Sequence, residues 1–197
     1  MWWALGAALV GAALFIVRSK KPDPKKIAIA AFLTAAAFAV FQVQIPIFGG
    51  VHLNLTPLIG ILAGPVLGPL VVFSINVLSA AIGHGGWSLI GANVVINISE
   101  VLVGYFTFRG LKKVTSVLFY RAGIATFAGL FVGNIVMIAI ILFSGIQGVN
   151  QSTGQLLAGL SLLAAVNMGV AVIEAFITGF IVSSIARMRP DLLDGDH

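Results

Sequence analysis

The chain has 197 residues, 59% hydrophobic and 9% charged, with a formal net charge of +5 and a mean hydropathy of +1.11. A soluble domain of this length would carry about 25% charged residues, so most of this surface must face lipid. There is no Cys, which excludes disulfides, thiolate metal sites and thiol nucleophiles, and the basic residues fall in short clusters between apolar runs, as loops at anionic headgroups do and nucleic-acid surfaces do not.

At ~20 residues per crossing, the expected fold is all-α: a polytopic membrane helical bundle of about seven transmembrane helices in a single integral membrane domain, 1–197. Within it, 1–17 is an extra N-terminal helix and 27–187 a six-helix core. The first span, 2–17 (WWALGAALVGAALFIV), is uncharged and is followed by Arg18, Lys20, Lys21, Lys25 and Lys26. A signal peptide has the opposite polarity, so the positive-inside rule places the N-terminus outside and the basic cluster in the cytoplasm, with Pro22 and Pro24 stopping the helix. The second span, 27–47, carries Ala31, Ala35 and Ala39 in register, a small-residue face that another helix can approach closely. It is the expected docking surface for a partner membrane subunit. Gly60, Gly64 and Gly68 repeat the spacing and read as packing within the bundle.

Residues 55–83 are too short for two full crossings, yet a single crossing would put Arg109, Lys112 and Lys113 outside. A bent hairpin of two short segments, 55–64 and 66–83, restores the charge rule, and Pro57, Gly64, Pro65, Gly68 and Pro69 supply the breaks. Such segments persist at membrane depth only where protein or a water-filled cavity covers their backbone, so the hairpin should line something. Spans at 90–110, 118–145 and 156–187 follow. Arg109, Lys112, Lys113 and Arg121, then Arg187 and Arg189, face the cytoplasm; the uncharged loops 49–54, 83–87 and 145–155 lie outside. The N-terminus is then out and the C-terminus in.

Two of these external loops hold His52 (GGVHLN) and His84 (GHGGW), with glycines that let the backbone turn the imidazoles over the bundle mouth. Imidazole suits Zn, Cu, Ni and Co; the alternative is two loop histidines bonded to backbone or water. On the fifth span Asn93, Asn97 and Glu100 lie at i, i+4 and i+7, one helical stripe facing protein. Glu100 is nine residues from Arg109, and Glu174 thirteen from Arg187, depths at which an ionisable group is costly unless partnered. The four residues read either as helix-locking polar groups, bonded to Asn76, Asn167 or Arg121, or as a path for ions or protons. No Gly-Lys pair occurs, hence no Walker A loop, and neither an HExxH motif nor a Gly-x-Ser-x-Gly elbow is present, so no catalytic residue is assigned.

The stretches GGVHLNLTPLIGILAGPVLGP, SAAIGHGGWSLIGANVVIN and EAFITGFIVSSIARMRPDLL resemble the substrate-binding membrane subunit of cobalt and nickel energy-coupling-factor transporters, the CbiM/NikM family. The likeness runs from about residue 27 to residue 193 and is most specific from His84 to Asn93 and from Glu174 to Phe180. It implies a seven-helix subunit that takes up Co2+ or Ni2+ from outside, needs no cofactor, and works with a transmembrane coupling subunit, cytoplasmic ABC-type ATPase subunits and a small accessory membrane subunit. His52 matches a metal-ligand position of the family, and His84 a loop position lining the same mouth. Family members usually begin Met-His-Ile, and the terminal amine, the next backbone nitrogen and that histidine complete a planar nitrogen site. This chain begins Met-Trp-Trp, so the expectation is that the natural start lies upstream.

The reading is therefore a capture and transport subunit in a prokaryotic plasma membrane, not an enzyme. Its rivals are a vitamin-binding subunit of the same transporter class and a non-transport membrane scaffold.

Overall fold

The computed structural model describes residues 1–20, 22–42, 44–45, 51–84, 86–144 and 153–193, with backbone alone at 20, 44, 45, 51, 52, 153 and 191. The His52 side chain, His197 and most of the expected loop 145–155 thus lie outside the described residues. The described chain forms six long helices: α1 (Trp2–Lys20), α2 (Pro24–Phe41), α3 (Thr56–Ala81), α4 (Ile90–Gly110), α5 (Leu118–Ser144) and α6 (Thr153–Met188). A two-residue antiparallel pair, β1 (Gln44–Ile45) with β2 (Val51–His52), joins α2 to α3 and sets Gln44 opposite His52.

Pro24 opens the second helix instead of only stopping the first. Its missing N–H is not needed in a first turn, and the Asp23 carboxylate caps that turn by accepting from the Lys25 N–H at 2.9 Å. The helix then ends at Phe41, short of the expected 47, and Ile45 lies on a short strand, the extended geometry that a following proline favours.

Among the described residues six helices are long and apolar enough to cross a membrane, against the seven spans expected. The two short segments of the expected hairpin are one broken element, α3. Gly64 breaks it with φ 76° and ψ −179°, a conformation that glycine adopts without penalty, and Pro65 follows directly. The chain folds back there: a Cβ added at Gly68 would lie 3.9 Å from the Gly60 Cα, whereas eight residues of straight helix separate two Cα atoms by ~12 Å. The arm before the break has only eight residues, ~12 Å, too short to span a ~30 Å hydrocarbon core.

Both arms pack closely on α4 through glycine, the second where a Cβ at Gly68 would stand 2.6 Å from the Val101 side chain and the first at two further points. A Cβ at Gly60 would stand 2.2 Å from the Val101 carbonyl oxygen, and one at Gly104 would stand 2.8 Å from Pro57. Close backbone approach of this kind holds membrane helices together where lipid removes the hydrophobic drive. Around it, Val71, Val72, Ile75, Val94, Ile98 and Val101 form one core with residues of α1 and α2, while Leu58, Ile61, Phe108, Ala122, Ala125 and Val182 form a second.

The ends of the helices sort into two faces. The Trp2 indole N–H donates to the Ser144 hydroxyl, Gly91 abuts the Trp3 backbone, and the Phe41 and His84 rings meet edge-on at 6.0 Å. Those contacts gather the start of α1 and α4 with the ends of α2, α3 and α5. Arg109, Lys112, Lys113 and Arg187 mark the opposite ends, so the positive-inside rule puts the histidine face outside. Since α3 enters and leaves on that outer face, six helices still leave the N-terminus out and the C-terminus in.

Candidate functional site

Between α4, α5 and α6, beside the end of α2, the bundle forms a partly open cavity of about 200 Å3. Its polar lining comes from four places in the chain: Asn93, Asn97 and Glu100 on α4, Asn134 on α5, Asn167 and Glu174 on α6, and Asn54 on the segment leading into α3. The stripe predicted on α4 faces this space because its spacing keeps all three side chains on one side of the helix. Phe41 and Met137 add an aromatic ring and a thioether.

The carboxylates have partners other than the ones expected. Glu174, 1% exposed, accepts from the backbone N–H of Asn54 through Oε1 and from that of Leu55 through Oε2, both at 2.9 Å. Glu100 accepts from the Thr56 hydroxyl. Both therefore bind the start of α3, where unpaired N–H groups and the helix dipole favour negative charge. Leu55 holds φ 49°, a left-handed conformation uncommon in a residue other than glycine, and these hydrogen bonds hold it there.

The groups proposed as partners from the sequence bond elsewhere. The Asn76 amide donates to Val72 O at 2.7 Å, and the Asn167 amide donates to Asn134 Oδ1 at 3.3 Å. Arg121 stacks 4.3 Å from the Phe108 ring centroid and donates to Phe108 O at 3.2 Å. Glu100 itself fits only because position 133 is glycine, where a Cβ would stand 2.1 Å from Oε1.

The histidines lie at the outer end. His52 sits on β2, two residues before Asn54, so the strand that carries it leads to the cavity wall. His84 is half-buried, and its backbone N–H closes the end of α3 by donating to Ser79 O at 2.8 Å. Among the described residues no group of three or more His, Cys, Asp or Glu could hold a metal ion. Ala31, Ala35 and Ala39 are all exposed, while α2 buries Ala30, Leu33 and Ala37 instead. Sequence reasoning did not assign Asn54, Asn134 or Met137 to the site; isolated amides within or beside apolar spans are the signal that could have found the first two.

The family model for the cobalt uptake substrate-specific transmembrane region matches residues 1–192. The chain belongs to this family. It is 32% identical over 202 residues to an Archaeoglobus fulgidus protein named "Putative fused nickel transport protein NikMN", an overlap covering 98% of this chain and 63% of that protein. It is also 29% identical over 143 residues to the cobalt transport protein CbiM of Geobacter sulfurreducens, covering 70% of this chain and 40% of that protein. The chain thus spans less than two thirds of the length of either relative. A crystal structure of a transition metal transporter superposes with a TM-score of 0.82 at 18% identity, over 95% of this chain and 87% of that one, a likeness of fold. The family and the six apolar helices make this a multi-pass membrane protein, and the family match takes in α1 together with the rest of the bundle.

Proposed function

We propose that the chain is the substrate-capture subunit of an energy-coupling-factor uptake transporter for Co2+ or Ni2+. His52 collects the cation at the outer mouth, with His84 beside it, and the cavity between α4, α5 and α6 receives it. A transmembrane coupling subunit and cytoplasmic ABC-type ATPase subunits supply the energy, since the sequence has no Walker A loop, and a small accessory membrane subunit completes the assembly. The observation that carries this reading is the cavity itself: two carboxylates and five amides line a space inside an apolar bundle, and the strand bearing His52 runs to its wall through Asn54.

Size argues against the organic alternative. Small-molecule sites run to about 300–1,000 Å3, and a cavity of about 200 Å3 suits a hydrated ion better than a vitamin. A scaffold has no use for a polar space at membrane depth, where helix-locking pairs would close on one another.

The test is accumulation of radioactive nickel or cobalt by cells lacking their own high-affinity uptake, with the chain co-expressed beside its coupling and ATPase subunits. Uptake should require the chain and fall at least tenfold in His52→Ala. Uptake that is the same without the chain, or unchanged in His52→Ala, would overturn the reading.

A further inference from the structure

The cavity sets two carboxyl groups and five amides among apolar side chains, and several of its acceptor oxygens have no donor among the described residues. Asn97 is 6% exposed and lines the space, yet its side chain hydrogen-bonds to no described residue. One N–H of the Asn134 amide donates to Ala164 O at 3.2 Å and one of the Asn167 amide to Asn134 Oδ1 at 3.3 Å, while the Asn167 carbonyl accepts from no described residue. Glu100 uses only Oε2 to meet Thr56, leaving Oε1 toward Gly133. No Lys, Arg or His is among the described lining residues. Two buried carboxylates therefore face a polar space with no cationic side chain beside them, at a depth where unbalanced charge is costly.

These features match one chemistry. A first-row divalent cation in water carries six aqua ligands, and each presents O–H donors outward. At ~30 Å3 per water, a cavity of about 200 Å3 holds about six or seven waters, the size of the hexaaqua ion. Its two positive charges balance Glu100 and Glu174, and its outward donors meet the acceptors of Asn97, Asn167 and Glu100 that the protein leaves open. Contacts through bound water are nearly as favourable as direct ones. We infer that the central cavity is an oxygen-lined holding site for a divalent cation that keeps its water shell, separate from the nitrogen ligand His52 at the mouth. The inference rests on the transport reading, because it takes the cargo to be a divalent metal.

Cobalt(III) hexaammine is the probe. Its six ammine ligands do not exchange, so it binds only where contacts to the outside of the shell suffice, and no imidazole can ligate it. Calorimetric titration of the full chain in nanodiscs of neutral lipid should show saturable one-to-one binding that excess Ni2+ displaces. Asn97→Leu and Glu100→Gln should each weaken it at least tenfold. Asn97→Leu removes no hydrogen bond to a described residue, so its melting temperature should match or exceed that of the unsubstituted chain; if it fails to fold, Asn97→Ser serves in its place. Absence of saturable binding, undiminished binding in both variants, or loss of probe binding in His52→Ala would overturn the inference, the last by moving the site to the loop. Failure of the probe while His52-dependent uptake of nickel persists would sink the hydrated site alone; failure of uptake would sink the transport reading.

Discussion

Glu174 is where the bundle holds the broken helix in place, and removing its carboxylate should release the start of α3. Both oxygens are committed, one to the Asn54 N–H and one to the Leu55 N–H, each at 2.9 Å, and the side chain is 1% exposed, so no bulk water can take its place. Hydrogen bonds to an ionised group contribute about 1.5–3 kcal/mol each, and a buried N–H left without a partner costs about 1–3 kcal/mol. Glu174→Ala strands two N–H groups and should lower stability by roughly 2–6 kcal/mol. Glu174→Gln keeps one acceptor but turns an amide N–H toward the other donor, for roughly half that loss. Glu174→Asp withdraws the carboxylate by one methylene and should also destabilise, since the two backbone donors lie on a fixed helix start. Thermal unfolding of the purified protein in detergent, followed by circular dichroism, should rank Glu174→Ala below Glu174→Gln and both below the unsubstituted chain. Because Asn54 lies two residues from His52, the same variants should also bind nickel more weakly. If Glu174→Ala melted at the unsubstituted temperature, the latch would not exist, and the left-handed Leu55 would have to be held by packing alone.

Gly60→Ala should destabilise strongly, because its Cβ would stand 2.2 Å from the Val101 carbonyl and 3.1 Å from the Val101 Cα, backbone atoms that cannot swing aside; Gly11→Ala, with nothing within 4 Å, is the control, and size-exclusion profiles with melting curves compare the two. Ala35→Leu should reduce recovery of the coupling subunit in co-purification while leaving the melting temperature of the isolated chain unchanged, since Ala35 is exposed; undiminished recovery would move the docking surface off this face of α2.

Membrane residence, most of the helical spans and the break in α3 were legible in the sequence, because each depends on a local property. Apolar run length and the Gly64-Pro65 break need no knowledge of which helices touch. The stripe of Asn93, Asn97 and Glu100 was legible for the same reason: helical periodicity alone puts them on one side. The count of seven spans came out as six long helices because run length cannot tell two short crossings from one element that turns back at mid-depth. In lipid, the face of a helix toward its neighbours and the face toward acyl chains are both apolar, so the pattern along α5 and α6 does not say which side turns inward. Tertiary packing alone decided that Asn134, Asn167 and Glu174 meet Asn54 and the α4 stripe around one cavity. It also decided that Glu174 binds the Asn54 and Leu55 backbone instead of Asn76, Asn167 or Arg121. A backbone N–H becomes an orphan needing a carboxylate only where a helix begins inside the bundle, and that beginning exists because α3 folds back at Gly64 against α4.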